Sequence, residues 1–218
     1  LTDGATHSSG DAASAGRGLV ERALAALRAA GGALLIDLEF TCWEDSLRTA
    51  WADPARPAEV IEIGLVAYDI ATRTATDTFD ARVRPTVNPI LSDYCVNLVH
   101  IPQGEIDAAD QLPIALEALD RWVRAPRRAG LATCGWGSLD RKVLAQNAQA
   151  LGVADPLAGR PHIDLRDVMT EHGHHPYPID RDDVRRLAHL PPNVRRHRAL
   201  DDALDLTHFL GLLLRSAG

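Results

Sequence analysis

An apolar run that ends in two acids opens the reading of this chain: Ala33-Leu34-Leu35-Ile36 leads straight into Asp37-Leu38-Glu39. Residues two apart on a strand share a face, so Asp37 and Glu39 project together. Carboxylates so placed repel unless they are fully solvated, and the common remedies are a shared proton or bound divalent cations. The competing reading is a strand that simply runs out into water. Further along, Trp136-Gly137-Ser138-Leu139-Asp140 passes from a strand end into a helix. Asp140 lies in the first turn, where the helix dipole favours an acid with or without chemistry. A third cluster, His197-Arg198-Ala199-Leu200-Asp201-Asp202, opens the last helix, and an Asp pair there is also ordinary capping.

Several elements must position these groups. Leu19, Ala23, Leu24 and Leu27 have helical spacing that Gly31-Gly32 stops, which predicts a helix from Gly18 ahead of the acid-tipped strand. Val60 to Tyr68 and Thr74 to Arg84 read as a hairpin joined by a polar turn. After Pro85 the pattern turns helical, at Leu91 to Leu98 and Leu112 to Val123. A short strand follows at Leu131 to Trp136, then a helix at Leu139 to Leu151 and an extended piece at His162 to Leu165. Helices at Arg166 to His172, Arg181 to Leu190 and Leu200 to Arg215 complete the chain. Consecutive strands followed by alternating helix and strand imply an α/β fold, a mixed sheet with an antiparallel first part and helices on both faces.

The 218 residues, 46% hydrophobic and 24% charged, match one soluble domain whose folding buries roughly 70% of the unfolded surface without staples. Residues 1–17, small and polar, read as a disordered leader, leaving 18–218 as the domain. Cys42, Cys95 and Cys134 are too scattered for a disulfide framework or a CxxC zinc site. No apolar run reaches the roughly 18 residues of a membrane span and no signal pattern opens the chain, which points to the cytoplasm. A net charge of −7 disfavours a broad basic nucleic-acid surface. Carboxylates gathered around metal ions count against that total, so it does not exclude a site that accepts phosphates. There is no GxSxG elbow, no Walker-A loop and no GxGxxG after a strand.

An acid pair on a strand, an Asp after a later strand and a His-x4-Asp opening the C-terminal helix together resemble the DEDDh (DnaQ-like) 3'-to-5' exonucleases. The flanking text is similar to the KapD-like and enhanced-RNAi exonuclease-like branch of that group. It comprises Phe40-Thr41 after the first pair, Val60-Ile61-Glu62-Ile63-Gly64, Leu91-Ser92-Asp93-Tyr94-Cys95 with Ile101 and Asp107, and Ala203 after the last acid. The resemblance covers roughly Leu34 to Leu214 and implies a ribonuclease H-like fold. Asp37 and Glu39 match its first motif, Asp140 its second, and His197 with Asp202 its third. Asp201 is then a surface or capping residue. Arg198 stands where the tyrosine type of the superfamily has its Tyr, so this chain matches the histidine type.

The resemblance implies hydrolysis of phosphodiesters at single-stranded RNA or DNA 3' ends, releasing nucleoside 5'-monophosphates. Two divalent ions about 3.5–4 Å apart can activate water and stabilise the leaving oxygen. Hard oxygen ligands suit Mg²⁺ or Mn²⁺ at Asp37, Glu39, Asp140 and Asp202. His197, with an ordinary pKa near 6.5, becomes the general base. Phe40, Trp43 and Trp136 are candidates for stacking on a base, with core packing the competing reading. Arg181, Arg185, Arg186, Arg195, Arg196 and Arg198 form a basic stretch before and within the third motif, read either as phosphate contacts or as a solvated face. His172, His174 and His175 lack carboxylate or Cys partners at ligand spacing, which argues against a transition-metal site. The rival class is a noncatalytic regulatory protein that uses the same fold for binding. The filled acidic set favours the enzyme, and no protein partner is legible.

Overall fold

The computed structural model of the chain describes residues 9–173, 175, 177–191 and 196–216. The first element, α1 (Ser9–Ala30), begins upstream of the Gly18 start that the leucine spacing predicts. It ends as read, at Gly31, whose φ of 73° a glycine adopts without a Cβ penalty. Residues 1–8 of the expected leader lie outside the described residues.

After α1 come β1 (Gly32–Phe40), α2 (Ser46–Thr49), β2 (Val60–Asp69) and β3 (Thr74–Arg82). Helices α3 (Asp93–Val99), α4 (Gln103–Asp107) and α5 (Leu112–Val123) follow, then β4 (Ala132–Gly135) and α6 (Leu139–Ala150). The chain finishes with β5 (His162–Asp164), α7 (Leu165–His172), α8 (Arg181–Leu187) and α9 (Ala199–Ser216). One sheet has the order β3-β2-β1-β4-β5. Its β1–β2 and β2–β3 pairs are antiparallel, and its β1–β4 and β4–β5 pairs are parallel. This is the mixed sheet that the strand pattern implies.

Side-chain parity on β1 decides which helix meets the acids. Leu34, Ile36 and Leu38 pack on one face with Leu116 and Leu119 of α5 and Val143 and Leu144 of α6. Ala33 and Leu35 pack on the other with Leu27 of α1, Val168 of α7 and Phe209 of α9. Asp37 and Glu39 continue the Ala33–Leu35 parity and so face α9. Because β1 and β4 run parallel, with Leu35 opposite Cys134, their carboxyl ends open side by side. Open α/β sheets bind ligands at such ends.

The start of α9 lies directly on β2. A Cβ on Gly64 would come within 2.2 Å of the Ala199 carbonyl carbon, so only a glycine permits this approach. Gly64 is paired with Asp37 across the β1–β2 ladder, which places the opening of α9 beside the acid pair.

Candidate active site

Four carboxylates from three parts of the chain gather at that sheet end. Asp37, Glu39 and Asp202 are only 6%, 9% and 7% exposed, so none of them is a strand or helix end running into water. Ligand atoms of Glu39, His197 and Asp202 all lie within 4.8 Å of one another. Asp140, at the start of α6, is close enough for its charge to act on both Asp37 and Glu39. His197 sits at φ 59°, an unusual conformation for a residue with a side chain. Its backbone N–H donates to Asp202 Oδ2 at 3.1 Å, while the Asp202 N–H donates to the Arg198 carbonyl at 2.9 Å. These two bonds fold the His-x4-Asp segment back on itself, bringing the imidazole and the carboxylate to one side.

The electrostatics are those of acids crowded out of water. Burial pushes the carboxyl of Asp37 well above its usual range; Arg181 opposes the shift, and Asp140 and Asp202 add to it. Burial also raises Glu39, with Asp37, Asp202 and Glu62 repelling it. Asp140 is pushed up to about 6, chiefly by burial, although Arg181 and the backbone amides of Leu38 and Asp140 favour its charged form. Asp202 is raised by burial as well, against the pull of Arg181 and the His197 amide. Such a set holds protons or cations, and an oxygen-rich group of this kind suits a hard divalent ion. Burial lowers His197 below its ordinary value, with Asp202 working the other way.

The remaining sequence candidates are placed as follows. Phe40 packs edge-on against Trp51 with ring centroids 5.2 Å apart. Trp136 packs on Phe209 at 5.4 Å with the Arg181 guanidinium 6.0 Å from its ring, so it is joined to the core and also borders the acids. Trp43 is half-buried under Arg56, at 5.7 Å. Arg198 directs Nε toward Glu62 Oε1 at 3.4 Å, and in this arrangement the guanidinium serves an internal carboxylate. Within the basic stretch, Arg185 pairs with Asp205 and Arg196 with Asp182, while Arg195 lies outside the described residues. Of the histidine run, His172 and His175 line a surface pocket with Met169, Ile179 and Arg215, and His174 lies outside the described residues.

Two residues carry more than their sequence context suggests. Glu62 is 1% exposed inside β2, accepting Arg82 Nη1 at 2.5 Å and the Ala199 N–H at 3.1 Å. It thereby caps α9 and anchors the His197 segment. A lone acid inside the apolar Val60–Tyr68 run was its only signal. Arg181 places Nη2 2.5 Å from Asp37 Oδ1 and Nη1 3.4 Å from Asp202 Oδ2. Reading it as one member of a basic stretch missed that it turns inward.

Comparison with known proteins gives the family. The exonuclease family designated RNase_T matches residues 34–209. Human 3'-5' exoribonuclease 1 is 36% identical over 90 residues, covering 41% of this chain and 24% of the human protein. The Drosophila melanogaster 3'-5' exonuclease Snipper is 26% identical over 198 residues, covering 84% of this chain and 69% of that one. The crystal structure of the nuclease domain of 3'hExo, a DEDDh family member bound to rAMP, superposes with a TM-score of 0.75 at 25% identity. That match covers 85% of this chain and 92% of the other. The chain belongs to the exonuclease family, in its DEDDh group and the branch that includes 3'hExo. The aligned segment spans about a quarter of the length of the human relative.

Proposed function

We propose that this chain is a metal-dependent 3'-to-5' exonuclease that removes nucleoside 5'-monophosphates from single-stranded ends, with RNA or short oligonucleotides as preferred substrates. The observation that carries the reading is the meeting of Asp37, Glu39, Asp140 and Asp202 with His197 at the carboxyl ends of two parallel strands. The preference for RNA draws on the exoribonuclease relative and on the ribonucleotide held by the DEDDh neighbour.

The acids fit two Mg²⁺ or Mn²⁺ ions, which Asp37, Glu39, Asp140 and Asp202 would hold. Bound there, the ions supply positive charge that acidifies the attacking water and offsets charge on the leaving oxygen. His197 accepts the proton of that water through a ring nitrogen. Asp202 orients it by holding its backbone N–H. Glu62 and Gly64 fix the height of the whole segment above β2. Trp136, beside Arg181, offers apolar area for a terminal base, with Phe40 and Trp43 as further stacking candidates, while Arg198 is engaged by Glu62.

The test is incubation with end-labelled RNA and DNA of matched sequence, in Mg²⁺, Mn²⁺ or chelator. The expected result is stepwise shortening from the 3' end, faster on RNA and abolished by chelator. Binding without shortening in either metal, by protein that is folded, would instead favour a noncatalytic role.

A further inference from the structure

The guanidinium of Arg181 lies among the carboxylates that the proposed reaction assigns to metal ions. It holds Asp37 Oδ1 at 2.5 Å and Asp202 Oδ2 at 3.4 Å, and its charge also acts on Asp140. Burial opposes that charge, but Asp37, Asp202 and Asp140 outweigh it and keep the arginine ionised. The residue is held in place from behind. Asp180 caps α8 through the Asp183 N–H at 2.7 Å, Val184 is fully buried, and Arg185 pairs with Asp205 of α9. The helix is therefore docked, and its first turn presents the arginine side chain to the site.

Asp37 Oδ1 accepts a hydrogen bond from the guanidinium and Asp202 Oδ2 is paired with it at 3.4 Å, so the arginine occupies space and balances charge where a divalent ion would be held. Two cations at those oxygens would also repel strongly in a site shielded from water. We propose that Arg181 is an internal competitor for the metal: it neutralises Asp37 and Asp202 until a divalent ion takes those oxygens, and it must swing off them for the ion to bind. It thus sets the metal concentration at which the site fills. The inference rests on the metal-site reading above, and the two can fail separately.

Calorimetric titration of the whole chain with Mn²⁺ decides between them. Arg181→Gln is expected to bind Mn²⁺ on the order of tenfold more tightly than the unaltered chain, because the competitor is gone. Arg196→Gln removes an equal charge near His197 without touching Asp37 or Asp202, and it is expected to shift affinity less than about threefold. The melting temperature of Arg181→Gln should be lower than that of the unaltered chain in chelator and should match it in saturating Mn²⁺. In ¹⁵N-edited spectra the Arg181 Nε–H signal, assigned by its loss in Arg181→Gln, should move when Mg²⁺ is added. Equal or weaker Mn²⁺ binding by Arg181→Gln, or an Arg181 signal unmoved by saturating Mg²⁺, overturns the competition while leaving the metal site standing. Failure of both the unaltered chain and Arg181→Gln to bind Mn²⁺ overturns the metal-site reading and this inference with it.

Discussion

His197 owes its position to a backbone bond, and burial lowers its basicity. Its N–H is held by Asp202, its φ of 59° turns the chain, and burial keeps the ring below its ordinary pKa. General-base catalysis, the role proposed for His197, contributes about 10²–10⁴ in rate. His197→Ala is therefore expected to lower kcat by about that factor in the cleavage assay, with little change in Mn²⁺ affinity. Wild-type turnover at saturating metal and substrate would remove the histidine from the chemistry. The neighbouring acids make a sharper pair. Successive helical positions diverge by about 100°, so Asp201 and Asp202 cannot both face β1. Asp202 is the buried member that binds the His197 N–H, whereas Asp201 is half-buried and acts on Glu62 at the other side of the turn. Asp202→Asn should abolish metal-dependent cleavage, and Asp201→Asn should keep most of it. The reverse order in a side-by-side rate measurement would shift the motif by one residue.

The contact between β2 and α9 is what converts sequence-distant acids into a cluster. Gly64 lets the Ala199 backbone touch the strand, and Glu62, two residues earlier, caps the helix that begins there. Gly64→Ala puts a methyl group into backbone that cannot yield like a flexible side chain. Overpacking of this kind costs about 1–3 kcal/mol, and the displaced element carries His197 and Asp202. The expected result is a lower melting temperature together with a loss of cleavage larger than any loss of helical circular dichroism. An unchanged melting temperature would show that α9 can ride higher without cost. That Asp37 and Glu39 share a face was legible in the sequence because alternation on a strand has only two outcomes, whereas the helix they face was not. The roles of Glu62 and Arg181 were not legible, because each is fixed by an element far along the chain: Glu62 by the start of α9, Arg181 by β1. Helices α2 and α4 were missed for another reason. Each buries a single residue, Ser46 or Ile106, and so shows no apolar period. The early start of α1 at Ser9 went unread because alanines that favour a helix are mixed there with glycine and serine, which do not.

Across the whole molecule, the site stores a pH-dependent cost that divalent ions should remove. Asp140 has an ordinary value of 3.8 and is raised to about 6, and Glu62 rises from 4.5 to about 7, both mainly through burial. A raised acid binds more protons folded than unfolded, so its contribution to stability is complete below the unfolded value and is lost as pH climbs through the folded one. In chelator, these two groups should therefore lower the melting temperature between about pH 4 and pH 7, with Asp37, Glu39 and Asp202 shifted in the same direction. Divalent ions act in the opposite sense. Ions held at the proposed site would bind the ionised carboxylates of the folded chain and stabilise it by mass action, but at low pH they would first have to displace the protons. The rise in melting temperature caused by millimolar Mn²⁺ should consequently be larger at pH 7.5 than at pH 5.5. Asp140→Asn should flatten the decline seen in chelator and reduce the Mn²⁺ response at both pH values, since it removes a titrating group and a metal oxygen together. Differential scanning fluorimetry across that range, with and without Mn²⁺, measures each quantity. A Mn²⁺ shift of the same size at both pH values would mean that the ion binds somewhere other than these buried acids.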